Sequence, residues 1–149
     1  MQYVTGNLIT LSQQGQFDFI VHGCNCFHSF GAGIAKQIKH AYPKAYEADL
    51  ATRKGDANKL GTYSLARYPD VIIINAYTQY RYGTEGIKAD YHAIERVFRM
   101  LAETIDDDRR IGIPQIGAGL AGGDWTRIEA IINSCLQDFN VTCVVYDGT

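Results

Sequence analysis

A chain of 149 residues with 46% hydrophobic and 20% charged side chains matches one compact domain with an ordinary core and leaves little room for two. Fourteen basic residues against sixteen acidic ones give a formal net charge of -2, which excludes a broad electrostatic surface for nucleic acid or an anionic membrane. The most apolar unbroken run, Val71-Ile72-Ile73-Ile74, has strand length and falls far short of the roughly 20 residues that cross a bilayer.

The first residues lack the basic, apolar and small-residue segments of a secretory signal. Four cysteines, two of them in Cys24-Asn25-Cys26, suit a reducing cytoplasm better than a disulfide scaffold. With no repeat, low-complexity tract or Ser/Pro-rich linker, one domain over 1–149 is expected.

Residues 2–5 and 8–12 read as short strand or turn pieces separated by Gly6-Asn7. Residues 17–24 suit a buried strand, and Ile34, Ile38, Ala41 and Tyr42 recur at helical spacing from Gly33 onward. Pro43 breaks that helix before a second one ending near Gly55. Strands are expected at about 60–67 and 70–76. Ile87, Tyr91, Ile94, Phe98, Leu101 and Ile105 mark one face of a long helix. A strand at 111–115, a helix capped by Asp124 and a strand at 141–146 complete the chain. This alternation implies an α/β layered domain with a largely parallel sheet.

Two strand-to-helix turns are rich in glycine: Gly31-Ala32-Gly33, and Gly117 to Gly123. In a parallel sheet such turns meet at the carboxyl edge, where open α/β proteins bind ligands. Glycine lets the main chain approach a phosphate, and unpaired N–H groups at a helix start point at the anion. Two such loops suit two linked phosphates, although glycines of this kind also serve simply as tight turns. Gly117-x-Gly119-x-x-Gly122 formally matches a dinucleotide fingerprint, but it lies near the C-terminus and its acid, Asp138, would end a helix. No P-loop motif occurs.

The segments from His22-Gly23-Cys24-Asn25-Cys26 to Gly31-Ala32-Gly33-Ile34-Ala35, and from Ile113-Pro114-Gln115 to Gly122, resemble the macrodomain family, which binds ADP-ribose. With Gly6-Asn7-Leu8 and Val144-Val145-Tyr146 the likeness spans nearly the whole chain. It is nearest to the branch of ADP-ribose 1″-phosphate phosphatases and terminal ADP-ribose protein glycohydrolases. The resemblance implies a three-layer α/β/α sandwich with a mixed, largely parallel central sheet.

It further implies that Asn25 holds the distal ribose and that Gly31, Ala32, Gly33 and Ile34 hold a phosphate. Gln115, Gly117, Ala118, Gly119 and Leu120 would close over the diphosphate and ribose. Asn7 and Leu8 would take the adenine side, with Tyr146 packing on the base. Most macrodomains carry Asp where Asn7 stands, so adenine recognition here lacks a charge.

For phosphatase action His22, at the end of its strand and near Asn25, is the leading proton-transfer group, with Asp90 as its acidic partner. Both have plainer readings, His22 as a buried strand histidine and Asp90 as a helix-start residue. The glycohydrolase pattern needs a lysine where Gln79 falls and an aspartate where Ala121 stands, with Lys88 the nearest substitute. A non-catalytic ADP-ribose reader remains open, as does a hydrolase freeing ADP-ribose from modified protein or nucleic acid.

His22-x-Cys24-x-Cys26-x-His28 alternates potential metal ligands, but four such strand positions span roughly 20 Å, and no metal site or cofactor is expected. Tyr77, Tyr80, Tyr82 and Tyr91 suit either packing or a sugar pocket, Trp125 a brace for the second glycine loop, and Phe27 to Phe30 the approach to the first. The expected partner is ADP-ribose or ADP-ribose 1″-phosphate, with ADP-ribosylated macromolecules under the alternative readings. A cytoplasmic location is expected, and a monomer is favoured although the oligomeric state is not readable from the sequence.

Overall fold

The computed structural model describes residues 1–83 and 85–149. Its strands are β1 (Gln2–Gly6), β2 (Phe19–Cys24), β3 (Tyr63–Arg67), β4 (Ile72–Tyr77), β5 (Arg110–Ile113) and β6 (Asn140–Tyr146), joined in one sheet of order β1-β6-β5-β2-β4-β3. All neighbours run parallel except β3, which lies antiparallel on β4. The helices are α1 (Leu8–Gln13), α2 (Gly33–Ala41), α3 (Pro43–Leu50), α4 (Tyr91–Thr104) and α5 (Trp125–Cys135), with a 3-10 turn at Ala57–Lys59.

Side-chain alternation along the strands builds three layers. Val21, Ile74 and Ile111 point to one face and pack with Ile94 and Phe98 of α4 and Ile128 and Ile132 of α5. Their neighbours Ile20 and Ile73 point to the other and meet Leu8 of α1, Ile38 of α2 and Ala45 of α3. A strand covered on both faces reads as an unbroken apolar run, which is why residues 71–74 show no polar alternation. No helix among the described residues is long and apolar enough to cross a membrane.

Four expectations are corrected. Residues 8–13 form a helix rather than a strand or turn piece, because Asn7 caps it: its Oδ1 accepts from Ile9 N at 2.9 Å and Thr10 N at 3.2 Å. The long helix starts at Tyr91, so Ile87 lies outside it and is 69% exposed. Asp90 caps that start through Ala93 N at 3.0 Å, while the N–H groups of Lys88 and Ala89 both donate to Ala121 O, at 2.7 and 3.2 Å. The helix after Pro43 stops at Leu50, well before Gly55, and β5 stops at Ile113 because Pro114 has no N–H to continue the ladder.

Candidate functional site: a groove between two glycine loops

At the carboxyl ends of β2 and β5, a cleft of about 410 Å³ is walled by both glycine loops and floored by Gly23, Cys24 and Ile116. A smaller cavity of about 140 Å³ adjoins it, lined by Leu8, Val144 and Tyr146. The two share Gly33, Ile34 and Pro114, so they form one elongated groove. No charged side chain among the described residues lines either cavity. An anion in this groove is therefore met by main-chain N–H groups.

The first loop supplies them at the start of α2. Gly33 has φ +58°, a left-handed conformation that glycine adopts without strain, and no side chain caps the helix behind Ala32. The first-turn amides of α2 are thus left for a ligand. Gly31, Ala32, Gly33 and Ile34 all line the cleft.

The second loop folds on itself: Gly123 N donates to Gly117 O at 2.7 Å and Gly122 N to Gly119 O at 3.0 Å. Ala121 O receives the two amides from 88 and 89, so the segment before α4 straps this loop in place. Gln115, Gly117, Gly119 and Leu120 line the cleft, while Ala118 does not. Gly117 has φ +73°, and a Cβ there would stand 3.1 Å from Ile128 Cδ1 and 3.2 Å from Ala89 Cβ. Gly117→Ala is expected to cost about 1–3 kcal/mol from backbone strain and crowding, read as a lowered urea midpoint at unchanged m-value.

Several predicted side chains are already engaged. Asn7 Oδ1 is spent on capping α1, and the residue lines neither cavity; its neighbour Leu8 and the 59% exposed Tyr146 wall the smaller one. Asn25 does line the cleft, but its Oδ1 accepts from Phe27 N and Ser29 N and its Nδ2 donates to Ser29 O at 2.8 Å. The amide chiefly shapes the 25–29 turn, leaving one N–H for a ligand.

His22 lies deeper than its expected role at the distal ribose suggests. It is fully buried, does not line the groove, and its Nε2 donates to Asn75 Oδ1 at 2.7 Å, with Phe30 edge-on at 5.4 Å. Burial pushes its pKa down to about 4, against which the Asn75 hydrogen bond works only partly. A ring neutral and sealed from water at pH 7 is a poor proton shuttle. Alternation along β2 explains this, since His22 shares the face of Ile20 that packs under α2 and α3.

Asp90 lines neither cavity but stands beside the cleft wall. The bridge between Gln79, which lines the cleft, and Ala89 ends next to it, and its own N–H donates to Thr78 O at 2.8 Å. One carboxylate oxygen caps α4. His22 and Asp90 are not hydrogen-bonded to each other; the partner of His22 is Asn75, which the sequence reading missed. A lone amide inside the run Ile72-Ile73-Ile74-Asn75-Ala76 was its signal.

The four alternating candidate ligands diverge. Cys24 stays beside His22, Cys26 Sγ turns to Gln79 O, and His28 Nε2 meets Thr52 O at 2.9 Å. Burial raises the thiol pKa of Cys24 and of Cys26, as for inert core cysteines. Trp125 donates to the Tyr3 hydroxyl at 3.0 Å, bracing the β1 edge rather than the second glycine loop.

The family model described as Macro domain matches residues 21–132, which include both glycine loops. The chain belongs to the macrodomain family. The macrodomain is 34% identical over 155 residues to an uncharacterized 17.5 kDa protein of Enterobacteria phage T4, covering 99% of this chain and 97% of that one. It is 27% identical to a protein named ADP-ribose 1″-phosphate phosphatase from Lodderomyces elongisporus, over 95% of this chain and 96% of that protein. In fold it is similar to Thermosipho africanus DarTG solved in complex with ADP-ribose, with TM-score 0.76 and 14% identity, over 97% of this chain and 42% of that one.

Proposed function

We propose that this macrodomain binds ADP-ribose along the groove and hydrolyses ADP-ribose 1″-phosphate to ADP-ribose and phosphate. The observation that carries the reading is the pair of adjoining cavities crossed by two glycine loops. The adenine goes to the cavity of Leu8 and Tyr146, the diphosphate to the start of α2 and the second glycine loop, and the distal ribose to the larger cleft near Asn25 and Gln79. The name of the fungal relative, similar over 96% of its length, supports the reaction.

In this proposal Asp90 is the group that handles the proton. A water attacks the 1″ phosphorus, the bond from phosphorus to the sugar oxygen breaks, and the water's proton passes to the carboxylate oxygen of Asp90 not used for capping. The departing oxygen is protonated from solvent. His22 serves as a fixed part of the layer behind the cleft floor, through Asn75 and Cys24.

Release of ADP-ribose from a protein through a lysine adduct is disfavoured. Gln79 and Ala121 stand where that chemistry needs lysine and aspartate, and the Lys88 ammonium bonds the Glu85 and Gly86 carbonyls. A pure reader is the second reading, favoured by the absence of charged side chains from the lining among the described residues. Titration calorimetry with ADP-ribose and phosphate release from ADP-ribose 1″-phosphate separate the two. Binding with release is expected; binding without release makes the chain a reader, and no binding ends both.

A further inference from the structure

Beyond the mouth of the larger cleft lies a surface that ADP-ribose itself does not need. Tyr82 forms part of the cleft rim and is 59% exposed. Behind it Phe27 packs edge-on against Tyr80 at 4.9 Å and against Tyr82 at 6.2 Å. The cluster is built rather than loose. The Tyr80 hydroxyl donates to Gly55 O at 2.9 Å, Cys26 N donates to Tyr80 O, and Gly55 N donates to Cys26 O. Gly55, at φ +74°, lies so close under Phe27 that a Cβ would stand 3.2 Å from the ring.

The same three segments carry cations. Arg53 and Lys54 precede Gly55, Arg81 separates the two tyrosines, and all three are exposed. Among the described residues none of them forms an ion pair. Asp56 and Glu85 are the nearby acids; the Asp56 carboxylate is engaged with Asn58 N at 2.9 Å. The chain as a whole is acidic, with net charge -2, so this cluster of cations beside one exposed ring, Tyr82, and the half-buried Phe27 and Tyr80 is local.

We infer that Tyr82, Phe27 and Tyr80, with Arg53, Lys54 and Arg81, form a docking platform for single-stranded nucleic acid. Bases have flat faces that stack on aromatic rings, and the phosphates between them match the spaced cations. An acidic peptide answers the charge but not the rings. The inference rests on the proposed polarity of the groove: with adenine at Leu8 and Tyr146, a chain attached at the distal ribose emerges by Tyr82. The partner is then an ADP-ribosylated or 1″-linked strand, and the platform holds the strand rather than the nucleotide.

The test measures fluorescence anisotropy of a labelled oligothymidylate of about 12 residues, within the usual site size of such platforms, with the wild-type protein and no ADP-ribose. Binding is expected to weaken with salt at a slope near −2 in log K against log salt, the value for about three phosphate contacts on a single strand. The double variant R53Q/K54Q should reduce the slope to about −0.7. Tyr82→Leu, which keeps an apolar side chain, should weaken binding about tenfold or more by removing one stacked base. Saturating ADP-ribose should leave the oligonucleotide bound.

Absence of binding at low salt overturns the inference, as does an unchanged affinity in Tyr82→Leu. Displacement by ADP-ribose would mean that the strand merely enters the groove, and tighter binding of a polyglutamate peptide would make this a protein surface. None of these readouts depends on phosphate release, so failure of the phosphatase reading registers separately.

Discussion

Asp90→Asn is expected to lower kcat on ADP-ribose 1″-phosphate by about 10²-fold or more while leaving ADP-ribose affinity within about twofold. The substitution separates two jobs that one side chain holds. As a cap, Asp90 accepts from Ala93 N, and an asparagine oxygen caps nearly as well. As a base, only the carboxylate can take a proton. The folded protein therefore survives with a small loss, about 0.3–1 kcal/mol, from the missing charge at the helix start. Asp90→Ala removes the cap as well and should lower the urea midpoint further, which calibrates the structural part. Full turnover in Asp90→Asn would remove the carboxylate from the chemistry. Equal loss of affinity and kcat/KM would make Asp90 a binding group instead.

The layered fold was legible because both signals that specify it are local. The nearly unbroken apolar burial of β2 and β4 and the spacing of Ile94, Phe98 and Leu101 in α4 are properties of neighbours along the chain. The glycine loops were legible too, since a glycine run between a strand and a helix has few uses. What stayed hidden depends on partners distant in sequence. His22 meets Asn75, 53 residues on, and Lys88 and Ala89 reach Ala121 across α4 and β5. The sequence reading put Ile87 on the helix because its spacing fits; nothing in that spacing reveals that the strap to Ala121 takes the segment out of the helix. Asn7 and Asn25 were matched to ligand roles by position, yet each amide is chiefly engaged by its own neighbours in a cap or a turn.

Behind the first glycine loop His22, Asn75, Ser64, Tyr77 and Asp49 form one connected set of polar side chains. His22 Nε2 donates to Asn75, Asn75 Nδ2 donates to Ser64 at 3.0 Å and to Ala45 O at 2.8 Å, and Ser64 bonds the Tyr77 hydroxyl at 2.8 Å. Tyr77 in turn donates to Asp49 at 2.7 Å. This set ties α3 to β3 and β4 and fixes β2 where the first loop leaves it. Asp49 Oδ2 has no partner among the described residues, and such a network becomes costly when a further member is charged or removed.

Protonating His22 charges it, and the expected consequence is a loss of stability in acid. Its pKa is about 4 in the folded chain against 6.5 for an unperturbed histidine, so the unfolded chain binds the proton first. The contribution is complete above pH 6.5 and declines by about 1.4 kcal/mol per pH unit as pH falls, until His22 protonates in the fold as well near pH 4. Between pH 7.5 and pH 5 the loss amounts to about 2 kcal/mol. Asp49 works the other way, because burial raises its pKa and folding then favours its protonated form as pH falls. A comparison with His22→Gln cancels that opposing effect, since Gln keeps an N–H for Asn75 but does not titrate. Urea unfolding of both proteins at the two pH values should show the wild type losing about 2 kcal/mol more than the variant. Parallel losses would mean that His22 reaches water in the folded protein, and would return it to the list of groups able to move a proton during turnover.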